Sequence, residues 1–536
     1  MLGMTSDAKN DSYFVGVDVG SGSVRAGLFN MRGQCLHVSS VPIQTWNPKP
    51  NFYQQSSDDI WSACCTAVQE ATREHASDVR GMGFAGTCSL VVLSPEGQPV
   101  SVCPCSGDVR QNIIMWMDHR AESEAEQINT TGHHVLEYVG GKISLEMQLP
   151  KLLWLKKNLP SQCWTRAGSL CSLVCKWTYQ ASLDKNIGWD EDFLRSIGLV
   201  DLLLDDFKKI GNDVKTPGSQ LGAGLTKKAA EELGLRPGIP VGASAIDAHA
   251  GGIGLLAAVP SSLSHSTNGL PHRLALICGS STCLMALSKE PLFVHGVWGP
   301  YANAMVPGYW LSEGGQSATG MLLDHIIRSH PAHQHLLSEN GESQVYQRLE
   351  GILGSCQLEE GLGSVSLLTR DLHIWPDFHG NRSPLADPSL KGMMSGLTLS
   401  SGKKELARLY LATVQALGYS TRHVIETMNA AGHEIQEILV CGGLSESSLF
   451  CKMQADITGH PVLVPETREA VLLGAAILGA CAAGTWSDVL TAMSHMGGSA
   501  RIINPDSSEK RYHDKKYQVF HELLNAQLRF QEIMNS

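Results

Sequence analysis

The 536-residue sequence lacks any surplus of positive charge: 41 Lys and Arg stand against 52 Asp and Glu, a net charge of −11. With no basic excess to condense onto phosphodiester backbones or anionic lipid, nucleic acid and membrane surfaces are excluded as first-choice partners. Paired CxxC halves are also missing. Cys64-Cys65, Cys103-x-Cys105 and Cys171-x3-Cys175 do not have the spacing of a structural zinc site. The fifteen cysteines are an odd number in a long chain, which predicts free thiols in a reducing compartment. The opening MLGMTSDAKN has neither the basic nor the apolar stretch of a secretory leader, so the expected location is the cytoplasm. The charge-free run from Ala470 to Trp486 is at the lower limit for crossing a bilayer and is built from Ala and Gly more than Leu, which predicts a buried helix.

What is present is a well-packing composition, 43% hydrophobic and 17% charged with 54 glycines, which excludes large-scale disorder. The length suits several ordinary domains or two large α/β domains. Tyr13 to Asp18 reads as a buried strand, Val19 to Ser23 as a turn of small residues and Val24 to Phe29 as a second strand, with a third over Cys35 to Pro42. Helical spacing follows from Asp58 to His75, and Val79 to Leu93 reads as strand, an alternation that indicates an α/β domain. The second half repeats the opening theme: Arg273 to Leu287 is strand, Gly-Ser-Ser-Thr turn, strand. Between the halves, Ser261 to Pro271 is polar and reads as a linker. Helices are expected over Glu405 to Ala431 and Ser447 to Thr458, flanking a strand from Ile435 to Cys441 that runs into Gly442-Gly443.

Several groups could carry chemistry. In Asp18-Val-Gly-Ser-Gly-Ser23 a carboxylate ends a strand and a small-residue turn offers backbone N–H groups to an anion. It lacks the spacing of a Walker loop, and an ordinary hairpin explains it as well. Gly279 to Thr282 gains weight by recurring after a second apolar strand. Asp247 sits among small and apolar neighbours, a costly place for a charge unless a donor, metal or dipole meets it. A general base and a helix N-cap are both open readings of it. Trp116-x-Asp118-x-Arg120, Lys176-Trp177 and Glu313-Gly-Gly-Gln316 could bind hydroxyls, or serve the core. His330-x2-His333-x-His335 reads as a solvated loop.

Together these pieces resemble the FGGY family of carbohydrate kinases, in the actin-like, ribonuclease-H-like ATPase group. The blocks are YFVGVDVGSGSVRAGLF from Tyr13, WMDHR from Trp116, PKLLWLKKN from Pro150, PVGASAIDAHAGG from Pro240, ICGSSTCLM from Ile277 and EGGQSATG from Glu313. They continue with FHGNRSPLADPSLKGMMSGL from Phe378, LVCGGLSESSLFCKMQADITGHPV from Leu439 and GAAILGA from Gly474. DFHGNRSPLAD and SLCSLVCKW are most similar to the ribulokinase-like branch.

The resemblance implies an α/β fold of two actin-like domains around a central cleft, a sugar-binding unit over residues 11–262 and a nucleotide-binding unit over residues 271–536. It implies ATP and Mg²⁺, a small-molecule sugar substrate, and leaves room for a homodimer. Asp247 would take the proton from the sugar hydroxyl, and Asp18 with Asp247 would hold the metal. Gly20, Ser21, Gly22 and Ser23 with Gly279, Ser280, Ser281 and Thr282 would surround the phosphates, and Gly442 and Gly443 the adenosine. Cys88, Lys176 and Glu313, with Asp247, would touch the sugar. The implied reaction makes D-ribulose 5-phosphate from D-ribulose. L-ribulose, xylulose or a pentitol are the alternative acceptors, and an impaired variant that only binds ligands is the alternative in kind. Three departures stand out. The blocks ending at Gly168 and starting at Ser169 abut as if a segment were removed, which predicts exposed core and a displaced Lys176. Ala85 replaces an Asp common in pentulose-kinase relatives, and Ser447 departs from the Gly-Gly motif's usual continuation.

Overall fold

The computed structural model describes residues 12–171, 179–181, 187–260, 267–337 and 345–536. Its first sheet runs in the order Val241–Ile246, Val79–Gly86, Tyr13–Val19, Ser23–Phe29, Cys35–Pro42. The three strands from Val241 to Tyr13 pair in parallel, and the last two add an antiparallel meander at the edge. Tyr13–Val19 is buried along its whole length, its apolar run as expected and the carboxylate Asp18 with it.

A second sheet of eight strands runs Val259–Pro260, Ser499–Ile503, Val462–Pro465, Glu437–Gly442, Arg273–Cys278, Thr282–Ser288, Trp310–Gln316, Trp298–Ala302. Between the two sheets lie the helices Asp247–Leu256 and Ala470–Ala482. Their side chains share one core with Phe14 and Ala85 of the first sheet and with Ala275 and Leu439 of the second. The outer face of the first sheet packs on Ser57–Thr72 and Lys227–Leu233. The outer face of the second packs on Gly320–Ser329, Val345–Glu359, Lys403–Ala430 and Lys510–Asn535.

The charge-free run is therefore explained by its place. Ala470–Ala482 is buried at nearly every residue, and its backbone lies on the first sheet so closely that a Cβ at Gly16 would stand 1.9 Å from the Leu472 carbonyl oxygen. Ala and Gly are what such an approach admits. No described helix is long and apolar enough to cross a membrane. Although it comes late in the sequence, this helix covers the sheet built from residues 13–246.

Two sequence expectations change. The single strand over Val79 to Leu93 is two, Val79–Gly86 and Leu90–Leu93, broken at Thr87–Ser89. The second belongs to a four-stranded sheet with Gln54–Gln55, Ile113–Ile114 and Ser169–Cys171. Period alone cannot show that break, because both pieces are apolar. The abutting blocks at Gly168 expose no core among the described residues. Cys163, Trp164, Ala167 and Leu170 are all buried, Gly168 N–H donates to Leu93 O at 2.8 Å, and Trp164 Nε1 donates to Asp201 Oδ2 at 2.9 Å. Residues 172–178, which include Lys176, lie outside the described residues, as do residues 261–266 of the expected linker. Its remainder forms the short helical turn Thr267–His272. The fourteen described cysteines are all free.

Candidate active site

The parallel strands of the first sheet deliver three segments to one edge. Val19 stands beside Gly86, and Gly86 beside Ile246, so the Gly20–Ser23 turn, the Thr87–Ser89 loop and Asp247 all emerge at the carboxyl ends. That edge is where open α/β sheets bind ligands. Asp18, one residue before the strand's end, is 8% exposed, and among the described residues its Oδ1 has no hydrogen-bond partner. Burial, and then the charge of Asp247, push its carboxyl up to about 7 against the pull of Arg25.

Arg25, the cross-strand neighbour of Asp18, pairs with Glu469, the residue immediately before Ala470–Ala482. Because that helix follows the carboxyl end of Val462–Pro465 in the second sheet, the pair ties the binding edges of both sheets together. Asp247 is the first residue of its helix. Ile246 holds the N-cap position, and Asp247 Oδ1 accepts the Ala248 N–H at 2.7 Å. The expectation of Asp247 as N-cap is therefore corrected: the cap position falls on Ile246, which has no capping side chain, and Asp247 stands one residue further in, where the helix dipole favours its negative charge.

The first small-residue turn is closed by Gly20 N–H to Ser23 O at 3.0 Å. It is fixed from outside by Trp116 Nε1 donating to Ser21 Oγ at 2.8 Å and Gln55 Nε2 to Ser21 O at 2.7 Å. The second turn is closed by Gly279 N–H to Ser281 O at 2.8 Å. Its Ser280 carbonyl accepts the Thr319 N–H at 2.9 Å, and the Thr282 hydroxyl meets that of Thr319 at 2.9 Å, so the start of Gly320–Ser329 supports it from behind. Gly279 and Ser280 remain exposed.

Gly442 stands in register with Cys278, one residue before that turn, with φ of 87°. A Cβ there would be 2.1 Å from the Cys278 carbonyl oxygen, so both conformation and space demand glycine. Gly443 begins a short turn that leads to Ser447, whose hydroxyl caps Ser448–Thr458 through Phe450 N at 3.0 Å and bonds Glu350 at 2.7 Å. Where the motif departs, the residue present has a structural task. The end of Arg273–Cys278 abuts the Asp247 helix: a Cβ at Gly251 would be 3.2 Å from the side chains of both Ile277 and Val471. Both turns therefore converge on one helix N-terminus.

On the expected sugar side, Cys88 is half-buried and its carbonyl accepts from Gln148. Lys151, fully buried, donates to Met115 O and Trp116 O at 2.8 Å each, which fixes Trp116, and burial lowers its ammonium to about 8. Behind Thr87 and Ser89 lies a cavity of about 250 Å³ lined mainly by Val19, Ile60, Trp61, Phe84, Val91 and Ile113. So apolar a wall does not suit a polyol.

Glu313 is not at a surface. It is 1% exposed and bonds His249 Nε2 at 3.1 Å, joining the second sheet to the Asp247 helix. Asp118 and Arg120 form a fully buried pair at 2.7 Å, with the guanidinium 4.2 Å from the Phe52 ring centroid, and belong to the core. Sequence reasoning missed Gln55, Arg25, Glu469 and the Arg382–Glu146 pair at 2.7 Å that ties the GNRSP block to the N-terminal half. Their partners lie up to 444 residues away, so no local pattern marks them.

Comparison with known proteins gives the following matches. Residues 13–167 match the N-terminal domain of the FGGY family of carbohydrate kinases and residues 274–483 its C-terminal domain. An FGGY carbohydrate kinase domain-containing protein of Homo sapiens is 49% identical over 99% of this chain and 99% of its own length. That alignment spans 553 positions against 536 residues, so at least 17 positions of it fall opposite gaps in this chain. A D-ribulokinase of Saccharomyces cerevisiae is 40% identical over 88% of this chain and 72% of its own length. Among solved structures, a xylulose kinase from Rhodospirillum rubrum aligns with a TM-score of 0.73 at 20% identity, over 97% of this chain and 99% of that one. A Plasmodium falciparum glycerol kinase with ADP gives 0.72 at 14% identity, over 97% and 99%. The shared architecture is the two-domain actin-like fold.

Proposed function

Because the chain belongs to the FGGY family of carbohydrate kinases, and is therefore an ATP-dependent sugar kinase, we propose that its acceptor is a ketopentose, D-ribulose first, and its product D-ribulose 5-phosphate. The observation that carries the reading is the pairing of Asp18 and Asp247 at the edge where both glycine-bearing turns converge. Support for the acceptor comes from the 40% identity to the yeast protein named D-ribulokinase.

In this reading Asp247 accepts the proton of the terminal sugar hydroxyl as its oxygen attacks the γ-phosphorus and ADP departs. A positioned base contributes roughly 10²- to 10⁴-fold, and alignment of the reactants supplies much of the rest. The Gly20–Ser23 and Gly279–Thr282 turns direct backbone amides to the triphosphate, and Gly442 and Gly443 flank the adenosine. Cys88 and Trp116 line the sugar side, Lys176 is assigned there from the sequence motif alone, and Glu313 acts from beneath through His249. We assign sugar binding to residues 11–262 and nucleotide binding to residues 271–536, with the Ala470–Ala482 helix joining them. The free thiols suit a cytoplasmic enzyme.

The residues present fit a divalent cation: two neighbouring carboxylates, one of them with a buried oxygen that lacks a hydrogen-bond partner among the described residues. Asp18 and Asp247 would hold Mg²⁺, which neutralises charge on the phosphates when bound. A coupled ADP-release assay with D-ribulose, L-ribulose, D-xylulose and ribitol tests the assignment. The highest kcat/KM is expected with D-ribulose. A higher value with another acceptor overturns the substrate, and no sugar-dependent turnover shows a chain that binds without transferring.

A further inference from the structure

At the edge of the first sheet, the strand Cys35–Pro42 packs against the helix Ser57–Thr72. His37 and Ser39 project from the strand on the same face, two residues apart. The hydroxyl of Ser39 bonds Glu70 on the helix, which fixes strand to helix at that point. One turn on, the chain leaves the helix through Glu74 and His75, with His75 N–H donating to Thr72 O at 2.8 Å. One ligand atom each from His37, Glu74 and His75 lies within 4.8 Å of the others. Among the described residues none of these three side chains makes a hydrogen bond or ion pair with protein. The His75 ring rests against Tyr13 with centroids 4.6 Å apart, which restricts its orientation.

We propose that His37, Glu74 and His75 form a Zn²⁺ site that clamps the edge strand to the end of this helix. Two imidazoles and a carboxylate are a borderline donor set, suited to zinc and unsuited to Mg²⁺, which takes oxygen ligands and keeps its waters. Tetrahedral zinc places its ligand atoms roughly 3.3 Å apart, given metal–ligand distances of about 2.0–2.1 Å. The cluster therefore needs only a small inward movement of the exposed His37 and Glu74 toward the half-buried His75, and solvent can occupy the fourth position.

A second group, His133, His134 and Asp190, has the same composition. There the donors are already engaged: His133 Nδ1 accepts the Val135 N–H, Asp190 Oδ1 caps a helix through Phe193 N, and Asp190 Oδ2 faces His134 Nε2 at 3.4 Å. The first cluster is also remote from the phosphoryl-transfer site. His37 pairs with Leu28 and Leu28 with Val15, two strands across from the Tyr13–Val19 strand and three residues along it from Asp18.

The test is titration of the chelator-treated full chain with ZnCl₂ by calorimetry, with Co²⁺ as the spectroscopic probe, in wild type and in His37→Ala, His75→Ala and His133→Ala. One tight Zn²⁺ per chain is expected, weakened at least tenfold by His37→Ala and by His75→Ala and unaltered by His133→Ala or millimolar Mg²⁺. Saturating zinc should raise the melting temperature by roughly 2–5 °C in wild type and in His133→Ala, and by less in His37→Ala and His75→Ala. All three variants should fold and phosphorylate sugar with MgATP as wild type does, because none of the three side chains lies in the buried core. No zinc binding, binding indifferent to both His37→Ala and His75→Ala, or a Co²⁺ spectrum dominated by thiolate charge transfer would each overturn the proposal.

Discussion

Replacing Gly474 by Ala sets two well-understood effects against each other. By helix propensity alone, Gly474→Ala inside Ala470–Ala482 should stabilise by up to about 1 kcal/mol. The packing predicts the reverse. A Cβ at Gly474 would lie 1.8 Å from the Ala250 carbonyl oxygen on the Asp247 helix, whereas real Cβ atoms essentially never come within 3.0 Å of a neighbour. The helices would have to part by at least about 1.2 Å, the difference between those two distances, along a contact with apolar residues of both sheets on either side. Overpacking of this kind costs about 1–3 kcal/mol or more, and parting the helices loses further dispersion contacts. A net loss of about 1–3 kcal/mol is expected. Turnover should fall as well, because Asp247 and Glu469 lie at the starts of the two displaced helices. Urea denaturation followed by circular dichroism measures the first effect, and the coupled kinase assay the second. Gly351→Ala is the control: it lies on the exposed face of Val345–Glu359 with nothing within 4 Å of its Cβ, so propensity should act alone and stability should rise by up to about 1 kcal/mol. If Gly474→Ala is as stable as wild type, the close crossing of these helices is wrong.

Two further outcomes are expected. Gly442→Ala puts a side chain at φ of 87° and 2.1 Å from the Cys278 carbonyl oxygen, so it should destabilise by about 2 kcal/mol or more and reduce the melting shift produced by MgATP; an unchanged nucleotide-dependent shift would separate this glycine from the nucleotide site. Lys516 donates to Thr369 O at 2.8 Å and Leu372 O at 2.6 Å, and burial lowers its ammonium to about 7. Between pH 7 and 10 the folded chain then binds fewer protons there than the unfolded one, so stability rises with pH by at most about 1.4 kcal/mol per unit, and the slope vanishes below 7, where both forms are protonated. Lys516→Met should flatten that rise in denaturation series across pH, and an unaltered slope would assign it to other groups.

The strand–turn–strand units at Tyr13 and Arg273 are legible in the sequence because each turn is built from small residues between apolar runs, and their recurrence suggests paired halves. Asp247 is legible as a carboxylate in apolar company. The residues that hold the site are not. Arg25 meets Glu469, Arg382 meets Glu146 and His249 meets Glu313 across separations that no period records. Glu313 looks like a hydroxyl ligand from its block, yet burial turns it into a strut. The Ala470–Ala482 helix reads correctly as buried, but only the fold shows that it packs between both sheets.

Asp247 as the base for the sugar hydroxyl is tested most directly by D-ribulose 5-phosphate formation in Asp247→Asn beside wild type, with ATP binding in the absence of Mg²⁺ followed in the same samples. The amide keeps the shape and the Ala248 contact through its own oxygen but cannot serve as the base. Turnover should fall at least roughly 10²-fold with metal-free ATP affinity nearly unchanged; product formed by Asp247→Asn at the wild-type rate would show that Asp247 is not the base.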